Sequence, residues 1–392
     1  MSSTTKKQLQ EVEQLIIHGK FKEALSVIKE GLKKKDISKE AELSFLILKS
    51  EVELYFGNFD ESIRLADLVL KKNEGLDNLL LRVDALTWRA VSLYWNGRIS
   101  ECLETIEKVR TTISAAKNLS EKTFAKRKAQ FQTWQALIVI QLGDFEKGLE
   151  LAIEASSFAE RSEYKNVICF NLVIIGECYA KLGEHERCKE YAEKALSIAT
   201  ELGNKFLLAF CHLMLTRVFN WIRESEKVEE LFKKSLSFAE EVGSKMLFVF
   251  KNDFGNFYRN NFQFDKALKY LHEALEVAPL LRYMTNAIIG EAYYMKYDLE
   301  QARDYYLKSL KFCEEMNDRY VLPVTLSGLI EISIELNDFT KAKKYLNRLK
   351  ELSEEPGFER IDYNYRYASI LVLKASGDLS DLGKAAELMK AY

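Results

Sequence analysis

The sequence predicts an all-α fold, an αα superhelix of about nine to ten helix-turn-helix repeats, and three observations lead there. Three prolines and 17 glycines in 392 residues are too little punctuation for the many turns of a sandwich or barrel. Apolar residues at 47% and charged residues at 30% describe a chain that folds by burying apolar faces. One short pattern also recurs along its length: a turn residue, a bulky residue two places on, and a small residue three places beyond that. A chain this long exceeds the usual single core, unless it grows by adding layers, as a repeat allows.

The copies in order are "HGKFKEALSVI", "FGNFDESIRLA", "NGRISECLETI", "LGDFEKGLELA", "LGEHERCKEYA", "NFQFDKALKYL", "KYDLEQARDYY" and "LNDFTKAKKYL". Their small positions are Ala24, Ser62, Cys102, Gly148, Cys188, Ala267, Ala302 and Ala342. Val228 fills the slot in the degenerate "IRESEKVEELF", and Leu382 in a weaker tenth copy, "SGDLSDLGKAA". We read residues 1–392 as one continuous array with repeat turns near 19, 57, 97, 143, 183, 223, 262, 297, 337 and 377. A second small residue follows seven places later at Ala155, Ala195, Ser235, Ala274 and Ser309. Two helical turns separate the pair, so both lie on one face and admit a neighbouring helix closely. The segments before the turns are helical in period and carry Ala90, Ala136, Gly176, Gly255 and Gly290. Each unit is therefore a helix, a turn and a second helix.

Two spacings depart from the rhythm. The longest holds "AAKNLSEKTFAKRKAQ", with Lys117, Lys122, Lys126, Arg127 and Lys128, expected as lengthened helices or an extended turn with a solvated basic surface. The shortest follows Pro279, expected to end a helix, and Pro323 and Pro356 fall near helix starts or linkers. The last copy runs out at "GKAAELMKAY" with no polar cap. Truncation of a longer protein is expected there, or an open end for homo-oligomerisation or a partner.

A formal net charge of -2 supplies no positive field, so no nucleic-acid partner is expected. The start, "MSSTTKKQLQEVEQ", lacks an apolar core, and no stretch of 18 apolar residues occurs, so neither a membrane nor a secretory route is expected and the location is taken as cytoplasmic. Six cysteines without a C-x-x-C pair read as reduced, buried thiols. No dinucleotide, phosphate-loop, H-E-x-x-H or G-x-S-x-G motif is found. The chain is read as a non-enzyme with no catalytic residue, metal or cofactor. One stretch, "KLGEHERCKEY", puts His185, Glu186 and Cys188 within four residues. Cys188, however, takes the slot of Ala24 and Ala302, and His185 that of Phe21, Phe59, Phe145 and Phe339. Both are packing positions.

The pattern resembles the tetratricopeptide repeat family over essentially the whole chain. In the closest copy, Phe254, Gly255, Tyr258, Phe264, Ala267, Ala274 and Pro279 match the family's leucine-glycine-tyrosine, aromatic, alanine, alanine and proline order. Lys251 departs from its first-helix tryptophan. A spacing near 40 residues resembles the long-repeat branch, found in peptide-sensing bacterial regulators, signalling-ATPase regulators and G-protein-signalling scaffolds. The resemblance implies a right-handed superhelix whose first helices line a peptide-binding groove. Its candidate residues are Trp88, Tyr94, Trp134, Glu177, Arg217, Asn220, Asn252, Asn256, Arg259, Asn260 and Glu291. Trp88 and Trp134 would offer an apolar wall, while asparagines would bind a peptide backbone and arginines its carboxylates. The expected partner is a protein or peptide segment, acidic near the arginines. The alternative is the sensory portion of a larger signalling or transcription regulator.

Overall fold

A computed structural model describes residues 2–115, 121–277, 282–316, 321–354, 361–377 and 379–390; Lys117, Pro279 and Pro356 lie outside them. The described residues form twenty α-helices in ten hairpins. The first four hairpins pair α1 (Ser3–Ile17) with α2 (Phe21–Leu32), α3 (Lys39–Tyr55) with α4 (Phe59–Asn73), α5 (Leu79–Trp95) with α6 (Ile99–Ala115), and α7 (Glu121–Gln141) with α8 (Phe145–Ser162). The next three pair α9 (Lys165–Lys181) with α10 (His185–Leu202), α11 (Lys205–Trp221) with α12 (Ser225–Val242), and α13 (Leu247–Asn260) with α14 (Phe264–Val277). The last are α15 (Arg282–Met295) with α16 (Leu299–Met316), α17 (Val321–Glu335) with α18 (Phe339–Ser353), and α19 (Ile361–Ser376) with α20 (Leu379–Lys390). The chain divides into two compact units, Met1–Phe250 and Lys251–Tyr392.

All ten hairpins turn through one residue of positive φ: Gly19, Gly57, Gly97, Gly143, Gly183, Arg223, Phe262, Tyr297, Asn337 and Gly377. This is the left-handed cap that closes a helix by a backward hydrogen bond. Lys20 N–H donates to Leu15 O at 2.8 Å, and the same bond recurs from Asn58 to Glu53, Glu184 to Tyr179 and Asp338 to Ser333, each at 2.8 Å. The small slots are packed shut. Ala24, Ser62, Cys102, Cys188, Val228, Ala267, Ala302 and Ala342 are all 0% exposed. Gly255 shows why size matters in the first helices, because a Cβ there would lie 2.6 Å from Leu271 Cγ and 3.1 Å from Ala267 O. Leu382, in the tenth copy, is instead exposed. Pro323 is buried in the first turn of α17, where its missing N–H costs nothing. The longest interval is taken up by the 21-residue α7.

The unit of residues 1–250 closes on itself. Asn204 Nδ2 donates to Ile17 O at 2.9 Å, and His18 Nδ1 lies 2.8 Å from Leu202 O. One hairpin further on, Lys245 N–H donates to Phe56 O at 2.9 Å. Aromatic rings fill the space inside these contacts. Phe206 lies 5.9 Å from Phe21 and 5.1 Å from Tyr55, Phe210 lies 5.1 Å from Phe250, and Trp95 lies 6.1 Å from Phe248. Such offset and edge-on pairs stabilise beyond the area they bury, by about 0.5–1.5 kcal/mol each.

Candidate functional site

In each unit the first helices of the hairpins bear the candidate residues. Within residues 1–250, Trp88, Tyr94, Trp134 and Glu177 are buried, Arg217 is half-buried and Asn220 is exposed. Trp134 packs at 4.5 Å on Phe170, and Trp88 meets Tyr55 edge-on at 6.4 Å. Both tryptophans line cavities: Trp88 one of about 180 Å³, Trp134 one of about 30 Å³. Glu177 Oε2 pairs with Arg217, while Glu177 Oε1 is buried without a hydrogen-bond partner among the described residues.

Within residues 251–392, Asn252, Asn256 and Arg259 stand at intervals of four and three residues, which places them on one face of α13. Asn252 is buried, Asn256 and Arg259 are half-buried, and Asn260 is exposed. Arg259 pairs with Glu291 of α15 and donates to Asn260 Oδ1 at 2.8 Å. Next along this face, Tyr294 of α15 hydrogen-bonds Glu331 of α17, whose carboxyl is held above its usual range by burial and then by Glu291. The arginines expected to hold a ligand's carboxylates thus each meet a carboxylate of the chain. The asparagines differ: Asn252 Oδ1 and Asn256 Oδ1 are buried and accept no hydrogen bond from the described residues. An unsatisfied buried acceptor costs about 1–3 kcal/mol.

The 180 Å³ cavity holds residues that sequence reasoning missed. It is walled by the first helices α1, α3, α5 and α7 and carries Glu13, Glu51, Asp84, Lys126 and Arg127. The expectation of a solvated basic surface is corrected for two of these. Lys126 Nζ pairs with Glu13 Oε1 at 2.9 Å, and Arg127 Nη2 with Asp84 Oδ2 at 2.7 Å, with side chains only 17% and 21% exposed. Lys122, by contrast, is well exposed. Glu51 is almost fully buried and accepts from Tyr55 Oη at 3.1 Å. Burial pushes its carboxyl up to about 7, against the opposing pull of Lys126.

His185 and Cys188 sit in packing positions. His185 stacks on Trp221 at 4.5 Å, Cys188 is 0% exposed, and burial pushes its thiol up to about 12. Among the described residues no group of three or more His, Cys, Asp or Glu is placed to hold a metal ion, and no helix is long and apolar enough to cross a membrane.

Family models described as tetratricopeptide repeat match residues 171–201 and 251–278. The chain carries tetratricopeptide repeats. Among solved structures, a Rap protein complexed with competence and sporulation factor is similar with a TM-score of 0.65 at 14% identity, over 93% of this chain and 100% of that one. A signal transduction ATPase with numerous domains and a tetratricopeptide repeat sensor, from Pyrococcus horikoshii, has a TM-score of 0.55 at 17% identity. The match covers 93% of this chain and 54% of the ATPase. The apo form of RapI has a TM-score of 0.50 at 17% identity, over 70% of this chain and 99% of that one. At these identities the likeness is one of fold. No curated protein matches the sequence.

Proposed function

We propose that the chain is a non-enzymatic interaction scaffold that holds an extended peptide or protein segment along its first-helix face. The observation that carries this reading is the pair of orphaned amide oxygens, Asn252 Oδ1 and Asn256 Oδ1. An extended segment has backbone N–H groups free on its edge, and an asparagine amide both accepts from and donates to such a backbone. Arg259 beside them, exchanging Glu291 for a ligand carboxylate, would favour an acidic segment. The similarity to a Rap protein complexed with competence and sporulation factor supports the reading at the level of fold. Likeness to the sensor-bearing ATPase supports the second one, in which this array is the sensory portion of a larger regulator.

The test is calorimetry with peptides selected by display against the intact chain. Asn252→Ala with Asn256→Ala should weaken binding by about tenfold or more, equivalent to about 1.4 kcal/mol, and added salt should weaken acidic peptides further. Unchanged affinity in the double variant would remove this face from consideration.

A further inference from the structure

The 180 Å³ cavity inside residues 1–250 is built unlike an ordinary solvated helix surface. Its charges come from four helices that are far apart in sequence: Glu13 from α1, Glu51 from α3, Asp84 from α5, and Lys126 and Arg127 from α7. Two of the three carboxylates already have cations of their own. Lys126 is held by Glu13 and lies 4.2 Å over the Tyr164 ring, while Arg127 donates to Asp84 through both Nε, at 3.0 Å, and Nη2. Glu51 is the carboxylate left over. It is 6% exposed, and its one hydrogen bond among the described residues is the Tyr55 hydroxyl on Oε1. Among the described residues no hydrogen bond reaches its second oxygen.

A carboxylate removed from water without a full set of donors is costly and gives way to its neutral form unless a cation arrives. The same cavity is also lined by Leu9, Ile47, Leu81 and Trp88, apolar side chains suited to a short hydrocarbon stem. We propose that this cavity binds a primary ammonium group on an apolar stem, its charge against Glu51 and its stem against Leu81 and Trp88. Such a group occurs at a peptide's amino terminus, on a lysine side chain or in a free alkylamine. The inference goes beyond the proposed peptide face, because it rests on Glu51 and its cavity in residues 1–250 and not on the asparagine pair; Trp88 alone is shared with the groove candidates.

Ammonium binding requires the carboxylate form of Glu51. The groups that face it are Glu13 and Asp84, which raise its proton affinity, and Lys126 and Tyr55, which lower it; Arg127 shares the cavity and is neutralised by Asp84. Binding near neutral pH therefore releases a proton, and affinity falls as Glu51 becomes protonated.

The experiment is calorimetry on the intact chain, in buffers of different ionisation enthalpy, with four probes. These are n-butylamine, tetra-alanine amide with a free amino terminus, its N-acetylated counterpart, and acetyl-Ala-Lys-Ala amide. The acetylated tetra-alanine should bind about tenfold or more weakly than the best ammonium probe; from about pH 8 to about pH 6 n-butylamine and acetyl-Ala-Lys-Ala amide, protonated throughout, should lose about tenfold in affinity, and tetra-alanine amide, whose amino terminus is only about half protonated at pH 8, about fivefold. Which ammonium probe binds best identifies the source of the group. Glu51→Gln should abolish both the proton release and the preference for ammonium, whereas Asn252→Ala with Asn256→Ala should change neither. Equal binding of the acetylated control, or no binding by any ammonium probe, overturns the proposal, and neither comparison depends on a variant folding. The asparagine face would stand in that event.

Discussion

Closure of residues 1–250 is a claim about contacts between hairpins far apart in the chain, and paired glycine substitutions test it quantitatively. Gly57 has φ +75°, and a Cβ built on it would lie 2.8 Å from Lys245 Cβ and 3.3 Å from Met246 N. Gly183 fills the same turn position in the fifth hairpin with φ +80° and has no such neighbour within 4 Å. Alanine at either site bears the left-handed backbone penalty of roughly 1–2 kcal/mol. At Gly57 alone it also drives a methyl into the facing hairpin, adding an overpacking cost of about 1–3 kcal/mol. Gly57→Ala should therefore lose about 1–3 kcal/mol more than Gly183→Ala. For a unit of this size that corresponds to a further fall in Tm of roughly 2–12 °C, at about 2–4 °C per kcal/mol. Tryptophan fluorescence is the suitable probe, because Trp88, Trp95, Trp134 and Trp221, all four in the chain, lie in this unit. Equal losses in the two variants would refute the closure.

Three further outcomes follow from the same packing. Burial raises the Glu51 carboxyl from its ordinary 4.5 to about 7 in the folded chain, so the folded chain binds the extra proton between these values and stability falls as pH rises through that window. Glu51→Gln should flatten this slope by about 3 kcal/mol across it, read from urea midpoints as a function of pH, and an unaltered slope would contradict the burial of Glu51. Cys188→Ala should shift stability by less than about 1 kcal/mol, and the native thiols should react with Ellman's reagent only on unfolding; fast native labelling of Cys188 would contradict its 0% exposure. Phe262 has φ +57° and is 72% exposed, so Phe262→Gly should stabilise its unit by up to roughly 1–2 kcal/mol by relieving the left-handed strain, and calorimetric destabilisation would show that the ring is held by contacts.

The repeat was legible because its signal is local. Small residues seven apart and a turn residue ahead of them encode both helix contact and left-handed cap, so the period carried the reading through Arg223, Phe262, Tyr297 and Asn337, where glycine is missing from the turn. Closure was not legible. Ile17 and Asn204 meet across 187 residues, and nothing in either hairpin's own pattern announces the other. The charged cavity was hidden for a related reason. Glu13, Glu51, Lys126 and Arg127 sit in helices rich in glutamate and lysine, where such residues normally face water, and only the folded unit brings them to one cavity, with Lys126 of α7 paired to Glu13 of α1. One local signal was available for Glu51, which falls in the run "FLILKSEVELYF" on a helix whose neighbouring positions are apolar. At the asparagine face, the family resemblance named Asn252, Asn256 and Arg259 as candidates, but the Arg259–Glu291 pair required the packed structure.

The most direct test of the functional account is hydrogen exchange on the intact chain with and without a display-selected peptide. Occupation of the first-helix face predicts slowed exchange concentrated in α13 and α15, lost on Asn252→Ala with Asn256→Ala. Protection confined to the second helices, such as α14 and α16, or unaffected by the double substitution, would contradict it.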